Sequence, residues 1–461
     1  SPRSIVTNAH VVREALLDDT LRIGIVPPEG DKAAYGRAIS VSPRNDLALI
    51  EITDGSLRLP ALTIAGGIPA DLRDVSAVGY PMNVDQAQGL DIGDIFRSQP
   101  PVKSRGFISG SRPSRQFDTI LHTAPIARGN SGGPLLDNCG RVLGVNSFGA
   151  NSDGTDAEFY FAVSTRELLP FLRANQVEAS LNALPCRSLD DVDAVERARN
   201  AQLRADALNR INARDAELRA KRNRAQLEAQ LAVQDDRETA LAAALVALLI
   251  SAGAGYFAFH TRQAGGEQKP IAIAAVVSGI AAIAAVTLWL SRPGLEEIDE
   301  RVAAAMDGDQ AGGDEPSLAT EGTMLCAIVQ ERSRITGSRM DDVEFIWAAD
   351  GCVNGRTQYG MADGEWRRVL VPDDEDAVSV SSYDPQTRTF RTDRYPLGRN
   401  AMEQIRTARR EYTPPQCGVT DAAREMGEQQ STVLSLLPSR PNERLVYSCE
   451  PHRSPGIGAD D

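Results

Sequence analysis

No Cys-x-x-Cys pair, no glycine-rich phosphate loop and no internal repeat occurs in the 461 residues, and lysine is scarce. The first absence argues against a redox motif or a zinc ribbon. The second leaves nucleotide chemistry without its usual cradle, and the third sets aside solenoids. Positive charge is lacking too. The formal charge of −14 makes nucleic acid an unexpected partner, because phosphate binding needs a concentrated basic surface. Cys449 and His452 are the nearest thing to half a metal site, and paired sulfurs are the plainer reading, so neither a metal nor a cofactor is expected. The first residue is Ser, with no apolar signal segment ahead of the first motif, so any export signal is expected upstream.

The chain is too long for one ordinary core, so two or three domains are expected. Its six cysteines, Cys139, Cys186, Cys326, Cys352, Cys417 and Cys449, are even in number and suit disulfides in an oxidising compartment. The pairing considered is Cys139 with Cys186, Cys326 with Cys449, and Cys352 with Cys417. Free thiols would reverse the compartment argument.

Residues 1–185 alternate short β-rich runs with turn residues, at 21–26, 47–52, 75–78, 119–123 and 142–145, which predicts an all-β barrel or sandwich. Residues 82–101 read as an irregular loop, and 165–173 as a closing helix with Leu168, Leu169 and Leu172 on one face. Residues 189–238 then lack Gly and Pro altogether. Acid-then-base pairs four apart, such as Asp193/Arg197 and Glu217/Lys221, predict a solvated helical stalk.

Two uncharged runs follow, 240–259 and 271–290, each long enough for a helix to cross a bilayer. Tyr256 and Trp289 sit near their ends, where amphipathic rings prefer the interface. Between the runs lie His260, Arg262 and Lys269 against Glu267, whereas the outer flanks are acidic. Basic residues favour the cytoplasmic side, so both large segments are expected outside the cytoplasm, at a bacterial inner membrane facing the periplasm. Residues 295–316 read as an acidic linker. Residues 317–453 read as a small disulfide-containing β-rich domain, with strands at 343–347, 366–371 and 377–383 and a helix at 401–411. Its aromatics Trp347, Tyr359 and Trp366 read as core rather than as a binding surface.

Three segments carry chemistry. Ile5-Val6-Thr7-Asn8-Ala9-His10 reads as an apolar strand delivering a histidine at its end. Asn45-Asp46-Leu47-Ala48-Leu49-Ile50 puts an acid ahead of a buried strand. Ala127-Arg128-Gly129-Asn130-Ser131-Gly132-Gly133-Pro134 sets a serine in a glycine-rich turn. A hydroxyl is a weak nucleophile at neutral pH and needs a base in reach. His10 would take the Ser131 proton, and Asp46 would hold the imidazole's tautomer. The N–H groups of Gly129 and Ser131 would stabilise the oxyanion. The turn also satisfies the looser G-x-S-x-G of α/β-hydrolases, but those run Ser, acid, His, whereas the order here is His, Asp, Ser.

These segments, with Phe107-Ile108-Ser109 and Thr119-Ile120-Leu121-His122-Thr123, resemble trypsin-like serine proteases of the HtrA/Do group over residues 4–175. The resemblance implies two six-stranded β-barrels with the site in the cleft between them, although the chain begins almost at His10, without the strands that open the first barrel. It also implies that Ile126, Ala127, Ser147, Phe148 and Gly149 wall the substrate pocket. No carboxylate is among them, so cleavage after Lys or Arg is not expected, and small to medium apolar residues are. No PDZ-like domain is read in the chain. Asn130 stands where zymogen-type relatives carry an Asp that pairs with a freed amino terminus.

The expected architecture is thus multidomain. A chymotrypsin-like double β-barrel protease (1–185) is followed by a helical stalk (189–238), two transmembrane helices, a linker and a C-terminal domain of unknown function. The expected activity is that of a membrane-anchored serine endopeptidase acting on extracytoplasmic polypeptides, with homo-oligomerisation left open. One alternative is an idle protease-fold scaffold whose C-terminal domain binds or senses a ligand. Another is a signalling protein in which that domain gates proteolysis through the stalk.

Overall fold

The computed structural model describes residues 3–30, 33–54, 57–68, 74–95, 97–113, 117–150, 158–264, 268–292, 294, 296–307, 321–338, 340–362 and 364–452. The chain forms two compact units, residues 1–198 with 319–461, and residues 199–318.

In the first unit the β-rich runs build two layers. Ser4–Thr7, Leu47–Ile52, Ala34–Ser42 and Ile23–Ile25 form a four-stranded antiparallel sheet. Leu47–Ile52 reads as five buried positions out of six, the pattern of a strand covered on both faces. The second sheet closes. The strands Tyr160–Ser164, Asp118–His122, Val102–Pro113, Asp74–Gly79, Pro134–Leu136 and Val142–Gly149 pair in that order, and the last pairs back onto the first. This is the six-stranded barrel that the resemblance implies, whereas among the described residues the first layer has four strands and does not close. Thr165–Ala174 packs Leu168, Phe171 and Leu172 against Val142, Val145 and Val163.

The expected irregular loop at 82–101 instead contains two short helices, Met82–Ala87 and Ile92–Ile95. The apolar strand expected to end on the histidine stops at Thr7, and a helix, Ala9–Leu17, takes over. His10 therefore sits in a helix's first turn. The β-branched Val11 and Val12 suggest strand, but Asn8 is a good N-cap residue type, and the chain turns there.

The same unit contains a nine-stranded antiparallel sheet in residues 322–451. Its edge strands, Thr357–Gln358 and Gly360–Ala362, are separated by the single residue Tyr359, so the sheet must curl until its edges nearly meet. The curl encloses Trp347, Tyr359, Tyr383 and Phe390, all buried, with Trp366 packed against them. Helices Arg399–Arg410 and Ala422–Ser435 cover a second apolar cluster that includes Val369, Val378, Met402 and Ile405. The second of these helices had no counterpart in the sequence reading. Disulfides join Cys139 to Cys186, Cys326 to Cys449 and Cys352 to Cys417, and no free cysteine occurs among the described residues.

The expected stalk and first apolar run belong to one helix, Leu189–Gln263, of which residues 199–263 are in the second unit, and the second run to Gln268–Leu290 in the same unit. Both helices are long and apolar enough to cross a membrane. Ser251 and Ser278 exchange hydroxyl-to-carbonyl hydrogen bonds at 2.9 Å, beside the buried Ala281 and Ala285. Small and hydroxyl residues of this kind let apolar helices approach closely. The acidic stretch expected as a linker forms a helix over Glu296–Asp307; residues 295 and 308–316 lie outside the described set. Its first turn holds Glu296, Glu297 and Asp299, where carboxylates meet the positive end of the helix dipole.

Candidate active site

Asp46 lies in the turn before Leu47–Ile52, with φ +50°, a left-handed conformation that Asp tolerates better than most residues. Its carboxylate faces His10. Imidazole Nδ1 lies 2.9 Å from Oδ2 and 3.0 Å from Oδ1. The His10 main-chain N–H also donates to Oδ1, at 3.1 Å. Asp46 thus supplies the cap that Asn8 does not give helix Ala9–Leu17, and fixes the backbone and the ring of His10 together. The histidine side chain is 41% exposed and the aspartate 17%, so the pair is open to solvent on the imidazole side.

Two further side chains brace the acid. Asn8, fully buried, donates from Nδ2 to the Asp46 carbonyl at 2.9 Å. The Ser147 hydroxyl donates to Asp46 Oδ2 at 2.5 Å. The sequence reading placed Ser147 in the substrate pocket, but its side chain is buried and turned to the acid. The reason is a bulge. Along Val142–Gly149 the pairing with Tyr160–Ser164 skips from Asn146 to Phe148, and the extra residue at a bulge is re-aimed. Nothing in local composition marked either partner of Asp46.

The glycine-rich turn is laced to the same strand. Gly132 N–H donates to Asn146 O, and Asn146 N–H to Gly133 O, both at 2.9 Å. Gly129 has φ +103°, and a Cβ there would stand 2.1 Å from the Tyr80 carbonyl, so only glycine fits. Among the described residues the N–H groups of Gly129 and Ser131 make no hydrogen bond. The Ser131 hydroxyl donates to the Ser147 carbonyl at 2.8 Å, and no hydrogen bond joins it to His10 among the described residues. The structure thus brings His10 and Asp46 together, while Ser131 is bonded through the strand that also braces Asp46.

Of the remaining pocket candidates, Ile126 and Ala127 are half-buried and Gly149 is exposed. Phe148 is 44% exposed and stacks on Phe161, with ring centroids 4.8 Å apart. Behind the turn, Asn130 is buried with Oδ1 unpartnered, and His122 is buried without a well-formed hydrogen bond to either ring nitrogen. Burial pulls the His122 pKa down to about 4, opposed in part by the nearby Ala124 main chain and Asn146 amide. Among the described residues no cluster of His, Cys, Asp or Glu is arranged to hold a metal.

Residues 1–145 match the trypsin-like peptidase domain, and in this part the chain is similar to serine endopeptidases. The particular relatives are of the HtrA type. The chain is 32% identical over 180 residues to the mitochondrial serine protease HTRA2 of Bos taurus, covering 38% of this chain and 34% of that protein. It is 31% identical over 170 residues to the magnetosome formation protease MamE of Magnetospirillum gryphiswaldense, covering 35% of this chain and 20% of that protein. A solved structure of the HtrA-type protease AlgW with a decapeptide matches at 24% identity, with 38% of this chain and 48% of that chain covered and a TM-score of 0.30. The chain thus spans about a third or less of the length of these two curated relatives.

Proposed function

We propose that the chain is a membrane-anchored serine endopeptidase that hydrolyses peptide bonds of extracytoplasmic polypeptides through His10, Asp46 and Ser131. The observation that carries this reading is the doubly held His10–Asp46 pair, 2.9 Å at its shortest, in the domain that also presents Ser131 on a glycine turn. In the reaction the Ser131 hydroxyl rotates off the Ser147 carbonyl toward the free imidazole nitrogen. Its oxygen attacks the scissile carbonyl as His10 Nε2 takes the proton. Asp46 stabilises the imidazolium without itself becoming protonated, and the N–H groups of Gly129 and Ser131 receive the oxyanion. Collapse breaks the C–N bond, with His10 returning the proton to the leaving amine. Water, deprotonated by the same imidazole, then releases the acyl group and restores Ser131.

Anchoring is supported by the two long apolar helices, with the short basic loop assigned to the cytoplasm and both large segments to the periplasm. The pocket candidates Ile126, Ala127, Phe148 and Gly149 carry no charge, which favours apolar side chains before the cut. A fluorophosphonate probe tests the reading directly. It should label the chain at Ser131 and leave Ser131→Ala unlabelled; labelling that persists in that variant removes the assignment.

A second reading, an idle protease fold serving as a scaffold, is favoured by one observation. Ser131 donates to Ser147 O rather than to His10. Absence of labelling in the intact chain, with the fold retained, would select it.

A further inference from the structure

Within the first unit, a cavity of about 930 Å³ lies in the seam between residues 27–63 of the protease domain and the curled C-terminal sheet. Its walls include Pro28, Leu59, Leu62 and Leu397, with charged residues among them. Almost all of its carboxylates are occupied. Glu443 accepts the Thr336 and Gly337 N–H groups at 2.7 and 2.8 Å and pairs with Arg394 at 3.5 Å. Arg394 also holds Glu375 at 3.2 Å. Glu29 accepts the Asn400 N–H at 3.2 Å, and Asp376 pairs with Arg406 at 3.6 Å. Only Asp374, exposed, has no partner among the described residues.

Two cations of the cavity are less well met. Arg58, from the protease domain, makes only a 3.4 Å hydrogen bond to its neighbour's carbonyl, Leu57 O. Arg399, from the C-terminal domain, lies against Gly30, its Nη1 2.8 Å from where a Cβ would stand. It makes no hydrogen bond or ion pair among the described residues. One guanidinium from each domain, that of Arg58 exposed and that of Arg399 partly buried, therefore lines a partly apolar cavity without an ion-pair partner among the described residues. Arginine's planar fork matches carboxylate and phosphate alike, and beside the five acidic side chains of this lining the singly charged carboxylate is the better tolerated.

We infer that this seam binds an organic anion with an apolar body and a single carboxylate. The carboxylate is shared by Arg58 and Arg399, and the body lies along Leu59, Leu62 and Leu397. Such a ligand links the two domains, and it stabilises the folded unit by mass action because the unfolded chain has no such cavity.

The test is thermal unfolding of the full chain in detergent, in a Ser131→Ala background so that turnover plays no part and the outcome is independent of the proteolytic reading. The probes are millimolar 4-phenylbutyrate, N-acetyl-leucyl-leucine with a free carboxylate, and the same peptide as its amide. The acids should raise Tm by roughly 2–4 °C and the amide should not. Arg58→Gln and Arg399→Gln should each lose the shift, while Arg37→Gln, outside the cavity, should keep it. A shift with the peptide acid alone supports the site as one for polypeptide C-termini, and a shift with both acids supports apolar carboxylates in general. Equal shifts from acid and amide, no shift at all, or shifts retained in both arginine variants would overturn the inference.

Discussion

The Ser147 hydroxyl reaches Asp46 Oδ2 at 2.5 Å from 101 positions away in the chain. That contact holds the carboxylate beside its bond to His10, while the Asn8 amide on the Asp46 main-chain carbonyl holds the backbone that carries it. A hydrogen bond to a charged group contributes about 1.5–3 kcal/mol. Ser147→Ala should therefore lower kcat by roughly 10- to 100-fold with little change in KM. Asp46→Asn, which removes the charge and favours the wrong tautomer, should cost about 10⁴-fold. Steady-state kinetics on a peptide substrate decide both, and an unchanged kcat in Ser147→Ala would make this contact structural only.

What could be read from the residues, and what could not, divides along physical lines. Asp46 ahead of a buried strand and Ser131 in a glycine turn are local signals, because turn chemistry is written in adjacent residues. The helix at His10 was hidden because its cap comes from Asp46, 36 positions downstream. Ser147 was assigned to the pocket from the resemblance alone, and the bulge that turns its side chain to Asp46 leaves no mark in adjacent residues. The described part of the acid-rich segment taken for a linker is a helix, since Glu296, Glu297 and Asp299 suit a first turn as well as they suit solvent. The nine-stranded curl of the C-terminal domain depends on pairings across the whole domain, which no short window contains.

Burial makes His122 a liability in acid. Its folded pKa of about 4 lies below the unfolded value of 6.5, so the unfolded chain binds the proton more readily. The stability lost to this group is nil above pH 6.5 and grows as pH falls toward 4, reaching about 3 kcal/mol. Denaturant melts of His122→Leu should be flatter than wild type between pH 6.5 and 4. Parallel curves would mean that the ring is solvated in the native state.

Arg141 and Asp137 form an ion pair of 2.7 Å with side chains only 2% and 0% exposed. Asp137 also accepts the Cys139 and Arg141 N–H groups, both at 2.9 Å, next to the Cys139–Cys186 disulfide. Asp137→Ala leaves an arginine buried without its counter-charge, which costs about 3–5 kcal/mol. Equilibrium denaturation should show that loss; a change under 1 kcal/mol would mean that water reaches the guanidinium.

Asn130 precedes Ser131 and is only 1% exposed, with Oδ1 unpartnered. A neutral amide there cannot form an ion pair with an amino terminus, so activity should be the same whether or not the chain is trimmed to a defined first residue. Asn130→Asp places a carboxyl where no cation is bonded among the described residues, and desolvation raises its pKa above the unfolded 3.9. The folded state then holds the proton more tightly. Stability of the variant is greatest at low pH and falls as pH rises through the raised value, by about 1–3 kcal/mol near neutrality. If a freed amine can reach the site, trimming should restore both stability and labelling of the variant while leaving wild type unchanged. Melts and probe labelling of trimmed and untrimmed chains measure this, and a wild type that gains labelling on trimming contradicts the argument from Asn130.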